Sequence, residues 1–200
     1  FIETVGPLVF GVGGVDDAEA ARYRALEQLP PNTFGRTFFV HYTAHGFAFP
    51  GEKHSLGFYG VQHDSCHVVS AYDTTGQGEL LVAAFTAAMR AAHNETFPEA
   101  DPLDYATMVM FQNQLGVKVT PFDADRWALD PAKWWTAWDR GGQITLDLAS
   151  PDYDFWSWAE RDLEEMRAEL SVPTLDPAMA AEPEPGPLPD DPGNVAADDA

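Results

Sequence analysis

Helical segments that end at glycine or proline stops are the feature of this sequence that most constrains its fold. Seven stretches have helical patterning, whereas the alternation of apolar and polar residues that marks a half-buried strand is scarce. The predicted helices cover residues 16–28, 34–45, 56–72, 79–93, 102–115, 131–140 and 151–170. The pattern predicts an all-α fold, with a single domain of about seven helices over residues 1–172.

The seventh predicted helix has the clearest signature. Ser150 can cap it, Pro151 suits its first turn, and the acidic Asp152 and Asp154 suit the positive end of the helix dipole. Apolar side chains follow at helical spacing and form one stripe: Phe155, Ala159, Leu163, Met166 and Leu170. We therefore expect one continuous helix to end the domain.

The C-terminal segment, residues 173–200, differs in composition from the rest of the chain. It contains seven prolines and seven acidic residues, and it has no basic and no aromatic residue. Such a segment cannot bury enough apolar surface to offset the entropy that it loses on ordering. The composition predicts a disordered, acidic, proline-rich tail.

The charge balance and the single cysteine exclude several classes of protein. Acidic residues outnumber basic ones by 32 to 11, and the net charge of −21 repels phosphate backbones, so we expect no nucleic-acid partner. Cys66 is the only cysteine, which excludes an internal disulfide and favours an intracellular location. No secretory signal is visible, and no apolar run reaches the ~18 residues of a bilayer span. We expect a protein that is neither secreted nor membrane-spanning.

The strongest chemical signal is the segment from His63 to His67, taken together with Glu79. On a helix, His63 and His67 lie one turn apart on the same face, and Asp64 lies within the same arc. Glu79 opens the next predicted helix, after a turn that can fold it back onto the first. Two imidazoles and two carboxylates are thereby predicted to meet at one point.

Imidazole nitrogens and carboxylate oxygens suit zinc, iron or another divalent ion. Two histidines and Glu79 leave coordination positions open for a substrate, while Asp64 either binds the ion or orients His67 from behind. A histidine pair with this spacing is, by itself, more often a surface or core feature, and the two carboxylates are what favour a metal. A second pair, His41 and His45, is expected to line the interior or a cleft rather than to bind an ion.

Four segments of the sequence are distinctive in combination. Residues 29–36 read L-P-P-N-T-F-G-R, and His63-Asp64-Ser65-Cys66-His67 is followed after eleven residues by Glu79. Residues 138–141 read W-D-R-G. Residues 158–173 begin with a tryptophan and carry the helix pattern L-x-x-M-R-x-E-L-x-V-P. In their order along the chain they resemble motifs of the coenzyme Q biosynthesis protein 4 family, whose metal motif is H-D-x-x-H-x₁₁-E. The resemblance covers about residues 25–173.

The resemblance implies a helical fold around a metal ion, usually zinc, with a groove for an isoprenoid tail and with His63, Asp64, His67 and Glu79 as ligands. It implies action in ubiquinone (coenzyme Q) biosynthesis. There the family is linked to the oxidative removal of the C1 carboxylate of a polyprenylated benzoate ring, with hydroxylation at that carbon, and to the organisation of the biosynthetic complex. Arg36, in the upstream motif, is a weaker candidate for binding a substrate carboxylate, and a structural ion pair is equally expected.

The resemblance also implies partners and a location. These are a prenylated aromatic quinone precursor, other quinone biosynthesis proteins and a second copy of the chain, in the cytoplasm or peripherally at the inner membrane. The sequence departs from the family's pattern at residues 58–62, where a basic run is replaced by Phe-Tyr-Gly-Val-Gln. A divergent member is therefore expected, with membrane contact that is weak and insensitive to salt.

Two other functions stay open from the sequence. One is a non-catalytic scaffold that binds prenyl lipids, in which four protein ligands hold a structural zinc. The other is a helical metal-dependent phosphohydrolase of the H…HD…D type, with His41 and Asp104 as further ligands. That class does not predict Glu79 at its spacing. The sequence therefore favours a metal-dependent decarboxylase or hydroxylase.

Overall fold

The computed structural model describes residues 15–93 and 130–182, and within these ranges the fold is all-helical, as predicted. Six α-helices follow one another: α1 (Asp17–Arg24), α2 (Phe34–His45), α3 (Gly57–Ser70), α4 (Gly76–Ala92), α5 (Pro131–Gly141) and α6 (Leu163–Glu169). Three single 3₁₀ turns complete the described regular structure: Ala25–Gln28, Phe155–Ser157 and Pro177–Met179. The predicted helix over residues 102–115 lies outside the described residues.

Local capping explains where the early helices begin and end. Asp16 accepts hydrogen bonds from the backbone N–H groups of Ala18 and Glu19 and so starts α1. The Thr33 hydroxyl accepts from the N–H of Arg36 at the start of α2, and Gly46 ends that helix in the left-handed conformation. The structure confirms both ends of α2 as predicted from the sequence.

Helix α4 forms the centre of the core, because every residue from Leu81 to Met89 is buried. It packs most extensively against α5. The two backbones approach closely at Gly141, where a Cβ atom would lie 2.0 Å from the carbonyl oxygen of Phe85. Only glycine is compatible with this contact.

A second layer of the core is aromatic and joins α1 and α2 to the C-terminal part of the chain. Phe38 of α2 stacks on Tyr42, and its ring meets the edge of Phe155 with centroids 4.8 Å apart. Tyr23 of α1 contacts the same Phe155 ring. These contacts place the C-terminal segment directly against the helix that precedes the histidine motif.

The prediction of one continuous helix from Ser150 was wrong. The structure has a turn, the 3₁₀ turn Phe155–Ser157 and the short helix α6, which Asp162 caps by accepting from Glu164 and Glu165. The intervening backbone is used elsewhere: the carbonyl groups of Ala159 and Arg161 accept hydrogen bonds from the first N–H groups of α2. The hydrogen bonds that these carbonyl groups accept from the otherwise unpaired N–H groups at the start of α2 are therefore formed in place of the continuous helix that the apolar stripe predicts.

Part of the segment predicted as a tail lies against the helices. The Pro173 carbonyl accepts from Arg140, and Glu182 pairs with Lys133 at 2.6 Å while its N–H donates to the Gln77 side chain. Residues 183–200, the rest of the predicted tail, lie outside the described residues. Among the described residues, no helix combines the length and the apolar character that crossing a bilayer requires.

Candidate metal centre

Helices α3 and α4 and the tight turn between them build the site. His63 and His67 lie one turn apart on α3, and Glu79 lies in the first turn of α4. Thr75 caps α4 by accepting from the N–H of Gly78, and a Cβ atom on Gly78 would lie 2.1 Å from Oδ1 of Asp73. This close approach allows the turn to fold the start of α4 back onto α3.

Three donor groups meet at one point, namely His63, His67 and Glu79. The two Nε2 atoms are 3.1 Å apart, and each of them lies 3.3 Å from an oxygen of the Glu79 carboxylate. A tetrahedral zinc ion with ligand distances of about 2.0–2.2 Å separates its ligands by about 3.3–3.6 Å. The two nitrogen–oxygen separations lie at the lower end of this range and the nitrogen–nitrogen separation is slightly shorter, so a small opening of the group accommodates a divalent ion held by these three side chains.

The orientation of the His67 ring is fixed from the side opposite Glu79. Its Nδ1 lies 3.1 Å from the backbone carbonyl oxygen of Tyr72. Because a carbonyl can only accept, Nδ1 donates a proton to it, and Nε2 is the nitrogen that faces Glu79. This arrangement is typical of metal-binding histidines, whose second nitrogen donates to a backbone carbonyl or a carboxylate.

The electrostatics of the three groups favour a cation between them. Burial alone raises the pKa of the Glu79 carboxyl, but the rings of His63 and His67 outweigh burial and hold the pKa well below its usual range. Burial alone lowers the pKa of His67, but the Glu79 carboxylate outweighs burial, and the pKa is raised. The carboxylate is therefore ionised, and its negative charge favours a cation at the point where the three groups meet.

Asp64, the fourth predicted ligand, lies outside this group of three. Its buried carboxylate faces α2, where Oδ1 is 3.5 Å from Nε2 of His41 and the Tyr42 hydroxyl donates a hydrogen bond to it. Burial raises the pKa of Asp64, but the nearby rings of His41, His63 and His67 outweigh burial and lower the pKa, so the group stays ionised. Asp64 thus contacts the α2 side chains behind the site.

The contact between His41 and Asp64 was not predicted, because it joins two different helices and no spacing rule pairs them. The ring of His41 also stacks on His67, with centroids 5.5 Å apart. His41 is thereby an interior neighbour of the site, as expected, whereas His45 is exposed and bonds only within its own helix.

Arg36 lies in the first turn of α2, and its guanidinium donates to the carbonyl oxygen of Glu27 at 2.7 Å. The same guanidinium lies over the ring of Phe39. These contacts serve the junction between the 3₁₀ turn and α2, so the structure gives Arg36 a local role and does not bring it to the three donor groups.

One side of the donor group is open to solvent. The His67 side chain is 1% exposed, whereas those of His63 and Glu79 are 17% and 21% exposed. The ring of Tyr59 lies parallel to that of His63 at this edge. The centre is therefore least buried along the edge formed by His63 and Glu79.

No family model matches the sequence, and no curated protein matches it either. The resemblance described above therefore stands on the motifs and their spacing.

Proposed function

We propose that the chain is a metal-dependent enzyme of quinone biosynthesis that acts on a prenylated aromatic acid. The proposed reaction replaces a ring carboxylate by a hydroxyl group and releases carbon dioxide. One oxygen atom of dioxygen enters the ring, and a two-electron donor reduces the other to water. The observation that supports this proposal is the convergence of His63, His67 and Glu79 within the H-D-x-x-H-x₁₁-E motif.

The number of ligands favours a catalytic rather than a structural metal. Structural zinc sites are closed by four protein ligands, whereas catalytic sites have three and keep a position open. Here three side chains converge and Asp64 is held by Tyr42 and His41. When bound, an ion would supply a Lewis acid for a carboxylate or phenolate oxygen. The same placement of Asp64 argues against a phosphohydrolase of the H…HD…D type, which needs this aspartate as a ligand.

The three donor residues and Asp64 have different roles in the proposed reaction. His63 and Glu79 form the solvent-facing edge by which the ring carboxylate enters. His67 is fully buried and fixed by the Tyr72 carbonyl, so its Nε2 keeps a constant position. Behind it, Asp64 adds a second negative charge, which together with that of Glu79 would balance a bound divalent cation.

An assay with a prenylated 4-hydroxybenzoate, dioxygen and a reductant tests the proposal. We expect wild-type protein to release carbon dioxide and form a ring hydroxylated at C1. Glu79→Gln keeps the size of the side chain but removes its charge, so we expect product formation to fall by more than about 100-fold, beyond the loss that follows when a group that only orients a ligand is removed. Exposed Glu165→Gln, on α6, is the matched control and keeps full activity.

The opposing outcomes of this assay are distinct. A wild-type protein that binds the metal and carries the prenylated compound through purification, yet forms no product, would show a scaffold instead of an enzyme. Organic extraction of the purified protein followed by mass spectrometry detects the carried compound. Release of phosphate from nucleotides or phosphoesters would favour the phosphohydrolase.

A further inference from the structure

At the C-terminal end of α3 all four of the last carbonyl groups have partners, and for three of them the partner is an arginine side chain. These groups have no acceptor role inside the helix, and burial without a partner is costly for each of them. The His67 carbonyl accepts from the N–H of Ala71, which adopts the left-handed conformation after the helix. The next three carbonyl groups accept from arginine side chains that come from distant parts of the chain.

Arg167 of α6 binds two of these carbonyl groups with its guanidinium. Its Nε donates to the oxygen of Val69 at 3.0 Å, and its Nη2 donates to the oxygen of Val68 at 2.7 Å. A planar guanidinium can span two neighbouring acceptors in this way, and a lysine ammonium lacks that fork. Glu164 pairs with the remaining Nη1 and so orients the group.

Arg140 of α5 binds the third carbonyl group and the turn that follows it. Its Nη2 donates to the oxygen of Ser70 at 3.0 Å, and its Nε and Nη2 both donate to the oxygen of Pro173. Its guanidinium also lies over the ring of Tyr72, 5.0 Å from the centroid. Arg140 therefore holds the turn between Ser70 and Tyr72 at two places.

That turn contains the backbone carbonyl that orients His67. The Tyr72 oxygen accepts from Nδ1 of His67, and this contact directs Nε2 to Glu79 and His63. A shift of the turn moves the Tyr72 oxygen and releases the ring. Two positive charges at the negative end of α3 are also favourable electrostatically.

We propose that Arg140 and Arg167 are positioning residues for the metal centre, which set the orientation of His67 through the end of α3 and the Tyr72 carbonyl. This inference rests on the proposed metal function. It adds that two arginines that contact none of the three donor side chains determine how tightly the ion is held.

Zinc affinity, measured by competition with a chromophoric chelator at low temperature, tests the proposal. We expect Arg140→Gln and Arg167→Gln each to weaken zinc binding by about 10- to 100-fold, which is the usual effect of removing a group that orients a ligand. Arg161→Gln is the matched control. Arg161 precedes the same helix as Arg167 but pairs with Glu169 and binds no carbonyl group of α3, so its affinity should equal that of wild type.

A spectroscopic measurement separates positioning from general loss of stability. Cobalt(II) in place of zinc reports ligand geometry through its visible absorption. We expect a changed cobalt spectrum in both arginine variants and an unchanged one in Arg161→Gln. Wild-type zinc affinity and cobalt spectra in Arg140→Gln and Arg167→Gln would overturn the proposal. If a glutamine variant does not fold, the lysine variant replaces it, and wild-type affinity in that folded variant would overturn the role of the guanidinium fork.

A metal-free readout distinguishes failure of this inference from failure of the proposed function. In nuclear magnetic resonance spectra of the apo protein, the Nδ1 proton of His67 is expected to be protected from solvent by its bond to Tyr72. Its signal should broaden or disappear in Arg140→Gln and Arg167→Gln. Wild-type protein that binds no zinc contradicts the proposed function, whereas a His67 proton unaffected by either variant contradicts the positioning role.

Discussion

At the scale of single residues, Cys66 shows how strongly the site is buried on its core side. It lies between the two histidines in sequence, but its side chain is fully buried. Burial raises the pKa of its thiol from an ordinary value of 9.0 to about 12. Because the thiolate is the reactive form, the group is unreactive in the folded protein.

We expect iodoacetamide to modify Cys66 slowly at pH 8 in the native state and rapidly in urea. The sign of the pH dependence follows from the raised pKa: the unfolded thiol ionises first. The contribution of this group to folding is therefore fully present below pH 9 and is lost as the pH rises towards 12. Rapid labelling of native protein that retains its full thermal stability would contradict this account.

Ala71 is strained at the end of α3, because it adopts the left-handed conformation with φ of 64°. Glycine adopts this conformation without a steric penalty. We expect Ala71→Gly to raise the free energy of unfolding by about 1 kcal/mol. Urea denaturation measures the change, and Ala168→Gly in α6, where glycine is unfavourable, should lower the same quantity by about 1 kcal/mol. A destabilised Ala71→Gly variant would contradict the strain.

At the scale of elements, capping residues made some helices predictable, whereas contacts between distant segments decided others. Helix α2 begins after Thr33 and ends before Gly46, as predicted, because these two capping residues act on the backbone of the helix itself. The stripe after Ser150 gave the wrong element, since the carbonyl groups of Ala159 and Arg161 bind the start of α2. Contacts between distant segments leave no local pattern that predicts them.

The packing of α4 on α5 depends on the absence of a side chain at Gly141. A methyl group there meets the Phe85 carbonyl at 2.0 Å and must force the two helices apart. We expect Gly141→Ala to lower the free energy of unfolding by about 2 kcal/mol or more. Gly142→Ala is the matched control, because its Cβ meets its nearest neighbour at 3.6 Å in a helical conformation. Equal stability of the two variants would contradict the close approach.

At the scale of the whole molecule, the convergence of the three donor side chains was more predictable than their surroundings. The spacing of His63, His67 and Glu79 was sufficient to predict that they converge, because two consecutive helices and the short turn between them determine their relative positions. The sequence left open whether Asp64 binds the ion, and the structure places it against His41 and Tyr42. That contact depends on how α2 packs on α3, which no local signal specifies.

The C-terminal segments contact the helix that carries the two histidines, although they contribute none of the three donor groups. Arg140 and Arg167 belong to the two C-terminal segments that carry the resemblance, and both bind the end of α3. The chain thus encloses its histidine helix between α2 on one side and the C-terminal arginines on the other.

Metal analysis of protein purified without chelators tests the central claim most directly. We expect about one divalent ion per wild-type chain, as for a site of three protein ligands. His67→Ala should lose it, because it removes the one buried donor, while His45→Ala should keep it, because His45 is exposed and bonds only within α2. The same metal content in wild type and His67→Ala, or no metal in wild type after zinc is supplied, would contradict the account.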